Sequence, residues 1–293
     1  MTQPILRSLT LALITLFAVQ VTHAADLKMA VNAPRGAIDA QKWLAIAEQL
    51  VAKTGKTIEV VSYSSPRAIN DAIANGEVDF GLLNPVSAVV VIEKFNAKPL
   101  ATLKANGTAF FAGVIIAKKG SGITKASDLK GKKIKAFNLE AGSGGYVFQV
   151  YHLLQQGIDA RKDFPEFKDA KKQDEIVLAV ALGLTDVGFV RSGLLESMAE
   201  ENKIRLDQFV IIDQRKDDLK FIHSTDLYPE WFLVAAAKTD ASLIKKVQAA
   251  AMNMKATDEA AKTAEIDGFV EPQNLDGLRK ALKTLKLTPY EGG

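Results

Sequence analysis

Cysteine is absent from the 293 residues, so the fold has no disulfide to lean on and must be held by its core. The same absence removes thiolate chemistry, cysteine-ligated metals and the acylated cysteine of a lipoprotein anchor. Histidine is scarce, at three residues. His152 falls mid-helix with no ligand partner four residues on, and His223 stands alone, so no metal site is expected. Neither sign of charge dominates, with 37 basic against 34 acidic residues. With no basic tract and no basic patch interleaved with aromatics, nucleic acid is excluded as a partner. There is no G-x-S-x-G, no Walker loop, and no third glycine where a G-x-G-x-x-G would need one, because Val147 stands there. No cofactor is expected, and an enzyme is not the expected class.

Long apolar runs are also missing, with one exception. Residues 9–21 are apolar but for Thr10, Thr15 and Gln20, follow Arg7, and lead to Thr22-His23-Ala24. That pattern is expected to be a cleavable secretory signal over residues 1–24, too short for a stable membrane span. The stretch 176–190 comes closest to a second run, but Thr185, Asp186 and two glycines interrupt it. An exported, soluble chain beginning near Ala25 follows, and its length suits two lobes.

Strands and helices alternate along that chain. Residues 27–31 and 57–63 read as strands, and 40–54 and 67–74 as helices, the second opened by Ser64-Ser65-Pro66. This βαβα order predicts parallel sheets. A short repeat stands out: Asp79-Phe80-Gly81-Leu82-Leu83-Asn84 and Asp186-Val187-Gly188-Phe189-Val190-Arg191 share one form, each after a helical segment ending in glycine. If the repeat reflects two related lobes, Asn84 and Arg191 sit at equivalent strand ends, where parallel sheets bind ligands. Apolar strands at 110–117 and 231–237 are the expected crossings. They assign residues 25–112 plus 237–293 to lobe 1 and 113–236 to lobe 2. Two crossings make a hinge.

The richest stretch is 132–157. A strand over 132–137 runs into Asn138-Leu139-Glu140-Ala141-Gly142-Ser143-Gly144-Gly145, and a helix from Tyr146 to Gln156 ends at Gly157. A Gly/Ser turn opening a helix presents backbone N–H groups without internal acceptors, suited to an oxyanion or equally to an ordinary loop. Arg191 could fork onto a carboxylate, phosphate or sulfonate, or pair with Glu196 or Glu201 at the surface. Asn84 and Ser87 offer an amide and a hydroxyl to a ligand, or cap the helix they precede. His223, Ser224, Thr225 and Tyr228 gather polar groups and ring area in one loop before Trp231. The candidate pocket therefore sets Tyr63, Ser64, Asn84 and Ser87 of the first lobe against Ser143, Gly144, Gly145, Tyr146 and Arg191 of the second. His223, Ser224, Thr225 and Tyr228 would lie at its edge.

With these residues in view, the chain resembles the phosphonate-binding family of periplasmic solute-binding proteins. The likeness rests on Asn75-Gly76-Glu77-Val78-Asp79-Phe80-Gly81 with Asn84-Pro85, on Gly142-Ser143-Gly144-Gly145-Tyr146 with Gly157-Ile158-Asp159, and on Asp186-Val187-Gly188. The stretches 188–196 and 224–231 are similar to a subgroup found as sensor modules of histidine kinases. The resemblance implies a type II periplasmic-binding fold, α/β, with two lobes of mostly parallel sheet and flanking helices on a two-crossing hinge. It also implies a small anion held between the lobes, a periplasmic location, and delivery to an ABC permease or, alternatively, docking on a sensor kinase's periplasmic domain. A monomer is the expected state. The family's helix start is usually richer in Ser and Thr than Ala141-Gly142, a departure that bears on the ligand and not on the fold.

Overall fold

A computed structural model describes residues 25–32, 37–63 and 65–291. The expected signal segment, 1–24, and the candidate Ser64 lie outside the described residues. The chain opens with β1 (Leu27–Asn32), α1 (Ala37–Val51), β2 (Ile58–Tyr63), α2 (Pro66–Asn75), β3 (Phe80–Leu83), α3 (Pro85–Phe95) and β4 (Lys98–Lys104). A short β5 (Phe110–Phe111) leads to β6 (Gly113–Lys118), β7 (Lys133–Phe137), α4 (Phe148–Gln155), β8 (Glu166–Ala170), α5 (Gln173–Leu182), β9 (Val187–Arg191), α6 (Leu194–Glu200) and β10 (Phe209–Ile211). The chain returns through β11 (Tyr228–Pro229) into β12 (Phe232–Ala235), α7 (Ala241–Asn253), α8 (Glu259–Ala264), β13 (Gly268–Val270) and α9 (Asp276–Leu285).

Two sheets result, in the orders β13-β4-β12-β3-β1-β2 and β10-β6-β9-β7-β8. Each is built on a parallel trio, β2-β1-β3 in one and β8-β7-β9 in the other, with an antiparallel strand beside the third member. The sheets are thus more mixed than the βαβα pattern predicts. The added strands β12 and β6 both follow a crossing and enter their sheets in the reverse sense. β5 and β11 pair antiparallel as a two-stranded hinge. Because β12 lies inside the first sheet, the return crossing falls at Tyr228–Pro229, several residues before the expected boundary at 237.

The Asp-x-Gly repeat has a physical cause that is the same in both lobes. The Asp79 carboxylate accepts the Lys28 N–H at 2.9 Å, and the Asp186 carboxylate accepts that of Lys133 at 2.8 Å, so each aspartate aligns its strand with the trio's central strand. A Cβ on Gly81 would meet Ile73 of α2 at 2.9 Å, and one on Gly188 would meet Ile176 of α5 at 2.6 Å. Each glycine therefore lets the preceding helix close on the sheet. Those helices end in left-handed glycines, Gly76 (φ 70°) and Gly183 (φ 75°), whose N–H groups cap the last turn.

Side chains of α1, α7 and α8 bury one face of the first sheet, and α5 with α6 bury one face of the second. The largest apolar cluster joins α2, α3, α4 and α9 and reaches both sheets. C-terminal α9 packs on α3 of one lobe and α4 of the other.

Candidate functional site

The first-lobe side of the seam is the start of α3. Asn84 is its N-cap, with Oδ1 accepting the Ser87 N–H at 3.1 Å, and Pro85 occupies the first helical position, where a missing N–H costs nothing. The capping reading of Asn84 therefore holds, and Asn84 does more. Ser143 reaches across from the second lobe, its hydroxyl donating to Asn84 Oδ1 at 2.9 Å and accepting the Val86 N–H at 3.4 Å. Asn84 thus touches both Ser87 and Ser143 directly.

The second-lobe side is a wide π turn, Ser143–Val147, in place of the α-helical start predicted at Tyr146. Val147 N–H bonds to Gly142 C=O at 2.9 Å, so the N–H groups of Ser143 to Tyr146 have no acceptor inside the turn. Close approach explains the glycines. A Cβ on Gly142 would sit 1.9 Å from the Phe137 carbonyl oxygen. One on Gly144 would sit 2.8 Å from the Phe111 ring and 3.2 Å from Arg191 Cβ. Beneath them Gln149, fully buried, donates from Nε2 to the carbonyls of Gly144 (2.7 Å), Val190 (2.9 Å) and Val114 (3.3 Å). That one amide ties the π turn to β9 and β6.

Arg191 closes β9 beside this turn. Its Nη2 donates to Glu230 Oε1 at 2.8 Å, its Nε donates to Ser192 C=O at 3.4 Å, and its guanidinium lies 4.9 Å from the Phe111 ring centroid. Its ion-pair partner is the hinge residue Glu230, and neither Glu196 nor Glu201 takes that place. Glu230 is nearly buried, its side chain 7 % exposed against 40 % for Arg191. Among the described residues Arg191 Nη1 forms no hydrogen bond, which leaves donors for a ligand. The Gln173 side chain, at the start of α5, accepts the Arg191 backbone N–H at 2.7 Å and fixes the strand end.

Arg191 opens into a cleft of about 690 Å³ between the lobes. Lys42, Trp43 and Glu265 line its first-lobe wall, Glu196, Lys220 and Phe221 its second-lobe wall, and Phe110, Phe111, Glu230 and Trp231 its hinge end. Trp43 and Trp231 stack at 6.1 Å. A second hollow of about 620 Å³ lies between α2, α3, residues 139–141 and the tail at 287–291.

The remaining expected residues are placed elsewhere. Ser224 and Thr225 are fully buried, their hydroxyls accepting the N–H groups of Ile115 (3.0 Å) and Gly113 (2.9 Å). They stand in for a strand along the edge of β6 that β10 leaves open. His223 is buried between the Phe221 carbonyl (2.8 Å) and Asp217 (3.1 Å). Tyr228 stacks on Phe148 at 4.0 Å in the hinge core, and burial, with Asp226 and Tyr151 adding, drives its phenol well above the ordinary range. Tyr146 packs on Phe167, its phenol also raised by burial. Tyr63 ends β2, its phenol raised by burial and then by Glu77 and Glu59. Of the expected residues only Arg191 lines the larger cleft. Trp43, Phe111, Phe221, Glu230 and Trp231 also line it and are not among the residues to which the sequence points. The Tyr228-Pro229-Glu230-Trp231 run was the available signal, since it sets rings and a carboxylate at a crossing.

Two α/β lobes on a paired-strand hinge, with two helix starts in contact and an arginine in the cleft between the lobes, define a solute-binding protein. The chain belongs to the phosphonate-binding family of periplasmic ABC-transporter substrate-binding proteins, whose model matches residues 37–276. PhnD1 from Prochlorococcus marinus (MIT 9301), solved with methylphosphonate, is similar in fold. Its TM-score is 0.71 at 14 % identity, covering 89 % of this chain and 98 % of that one. A binding-protein component of an ABC phosphonate transporter from Pseudomonas aeruginosa has TM-score 0.70 at 15 % identity, covering 89 % and 86 %. In sequence, the chain is 29 % identical over 193 residues to the tetrathionate sensor histidine kinase TtrS of Salmonella typhimurium. That match covers 64 % of this chain and 32 % of the kinase, so it spans about a third of that relative. No helix among the described residues is long and apolar enough to cross a membrane.

Proposed function

We propose that this protein captures a small oxyanion between its lobes in the periplasm, without chemical conversion, for delivery to an ABC permease. The observation that carries the reading is the π turn at Ser143, whose first N–H groups have no acceptor inside the turn, packed against the stem of Arg191, whose Cβ lies 3.2 Å from the position of a Cβ on Gly144. The backbone N–H groups of the π turn and the Arg191 guanidinium supply donors for an anion, most of them main chain. The aromatic lining of the adjoining cleft supports an anion with a body larger than bare phosphate. A thermal-shift screen of phosphate, sulfate, methylphosphonate and tetrathionate tests the reading, because a ligand that binds only the folded state raises Tm. A rise with at least one of them is expected. No rise with any of them contradicts it.

A second reading, a ligand-sensing subunit that signals to a membrane kinase, is favoured by the similarity to the tetrathionate sensor. The two part in a deletion strain. Loss of ligand uptake supports delivery to a permease, and loss of ligand-dependent transcription with uptake intact supports sensing.

A further inference from the structure

Gln149 lies on the first turn of α4, under the π turn, and its amide is used on one side only. Its Nε2 donates to three carbonyls, those of Gly144, Val190 and Val114, while Oε1 is buried and has no donor. Turning the amide over would not help, because Oε1 would then face three carbonyl oxygens. Val114 and Val190 stand opposite each other in the β6–β9 pair, so the amide rests on that ladder. Gly113 makes the room: a Cβ there would lie 2.6 Å from the amide carbon and nitrogen. The third carbonyl, of Gly144, lies outside the sheet and takes the shortest bond, at 2.7 Å. An orphaned buried oxygen costs stability, and an apolar side chain of equal length would carry none. The reason for a glutamine here is therefore sought in what it does to Gly144.

What the amide fixes is the direction of a peptide group. A peptide is planar and trans, so its C=O and N–H point opposite ways. With the Gly144 carbonyl drawn down onto Gln149, the Gly145 N–H of the same peptide points up, away from β6 and β9. That N–H is one of those with no acceptor inside the π turn. Glycine stands on both sides of this peptide, so turning it over costs little backbone energy. A turned peptide would set a carbonyl oxygen where the donor had been, and repel an oxyanion.

We propose that Gln149 is a positioning residue of the anion site: by holding the Gly144 carbonyl, it keeps the Gly145 N–H directed at the ligand. This rests on the π turn being the donor surface for the anion. Gln149 is fully buried and acts through the peptide, without touching the ligand.

Isothermal titration of phosphate, sulfate, methylphosphonate and tetrathionate compares the wild-type chain with Gln149→Met and Gln149→Glu. Methionine fills the space and donates nothing. For any anion that the wild type binds, Gln149→Met should weaken affinity about tenfold or more, with cooperative urea unfolding retained. Glutamate donates when protonated, a form that burial among carbonyls favours. The affinity of Gln149→Glu relative to wild type should be close to one at about pH 5 and fall as pH rises and the carboxylate forms. Taking the ratio at each pH cancels the ionisation of the anion itself. A merely structural role would leave that ratio flat. A crystal structure of ligand-free Gln149→Met should show the Gly144–Gly145 peptide turned over or in both orientations. A folded Gln149→Met that binds as tightly as wild type overturns the proposal, and so does a peptide unmoved in its crystal structure. Binding of none of the four anions by the wild type contradicts oxyanion capture itself, and the crystal structure still decides whether Gln149 sets the peptide.

Discussion

Arg191 and Glu230 are one unit. The guanidinium needs the carboxylate to keep its place over Phe111, and the nearly buried carboxylate needs the guanidinium to offset its desolvation. Glu230→Gln keeps the shape and removes the charge, so Arg191 loses its anchor and gains net positive field. We predict a stability loss of about 1–2 kcal/mol, read by urea unfolding, with oxyanion affinity held or raised. A fall in affinity would mean that the anchoring of Arg191 by Glu230 outweighs the gained positive field. Gly144 gives a steric test at the same point. Gly144→Ala must displace the Phe111 ring or the Arg191 stem and should cost about 1–3 kcal/mol. Gly277→Ala is the matched control: a Cβ there meets nothing within 4 Å in helix α9, and the change should stabilise by about 0.4–1 kcal/mol. Equal effects of the two substitutions would remove the close-packing account of the glycine turn.

At the scale of elements, α3 is the piece both lobes share, capped from its own lobe by Asn84 and contacted from the other by Ser143. Asn84→Ala should cost about 1 kcal/mol for the lost cap and also weaken the interlobe contact. Ser143→Ala should leave the cap intact. Urea melts of both variants separate the roles, and equal losses would contradict them. The loop 213–227 is pinned differently. Burial pushes the Asp217 carboxyl up, but the Leu219 N–H and His223 outweigh it, so its pKa is lowered. The stability it contributes is present above the unfolded value, about 4, and is lost as pH falls through the lower folded value. Hydrogen exchange at 223–225 should therefore accelerate below about pH 4 before that of α1, and simultaneous loss would contradict it. Elements of this kind were largely legible in the sequence. Glycine caps, Ser-Pro and Asn-Pro helix starts and the Asp-x-Gly repeat are local signals with local causes. The roles of Ser224, Thr225 and His223 were not legible. A hydroxyl that completes a sheet edge 109 or 112 residues away looks, in one dimension, like a hydroxyl in a pocket. Glu230 was missed for the same reason, since its partner lies 39 residues back in the other lobe.

At the scale of the molecule, the lobes meet at Asn84–Ser143, across the hinge pair β5–β11, and through α9, which bridges α3 and α4. The cleft beside Arg191 opens or closes only if the two hinge strands flex together. The central claim is that an oxyanion is held between the lobes by Arg191 and the main-chain donors of the π turn at Ser143. Isothermal titration of tetrathionate, methylphosphonate, phosphate and sulfate into the wild-type chain and into Arg191→Ala tests it most directly, with unfolding melts to verify that the variant is folded. The account predicts saturable binding of at least one of these anions and an affinity about 30- to 700-fold weaker in Arg191→Ala, the equivalent of about 2–4 kcal/mol for a desolvated charge pair losing one partner. Undiminished binding by a folded Arg191→Ala, or no binding of any of the four by the wild-type chain, would contradict it.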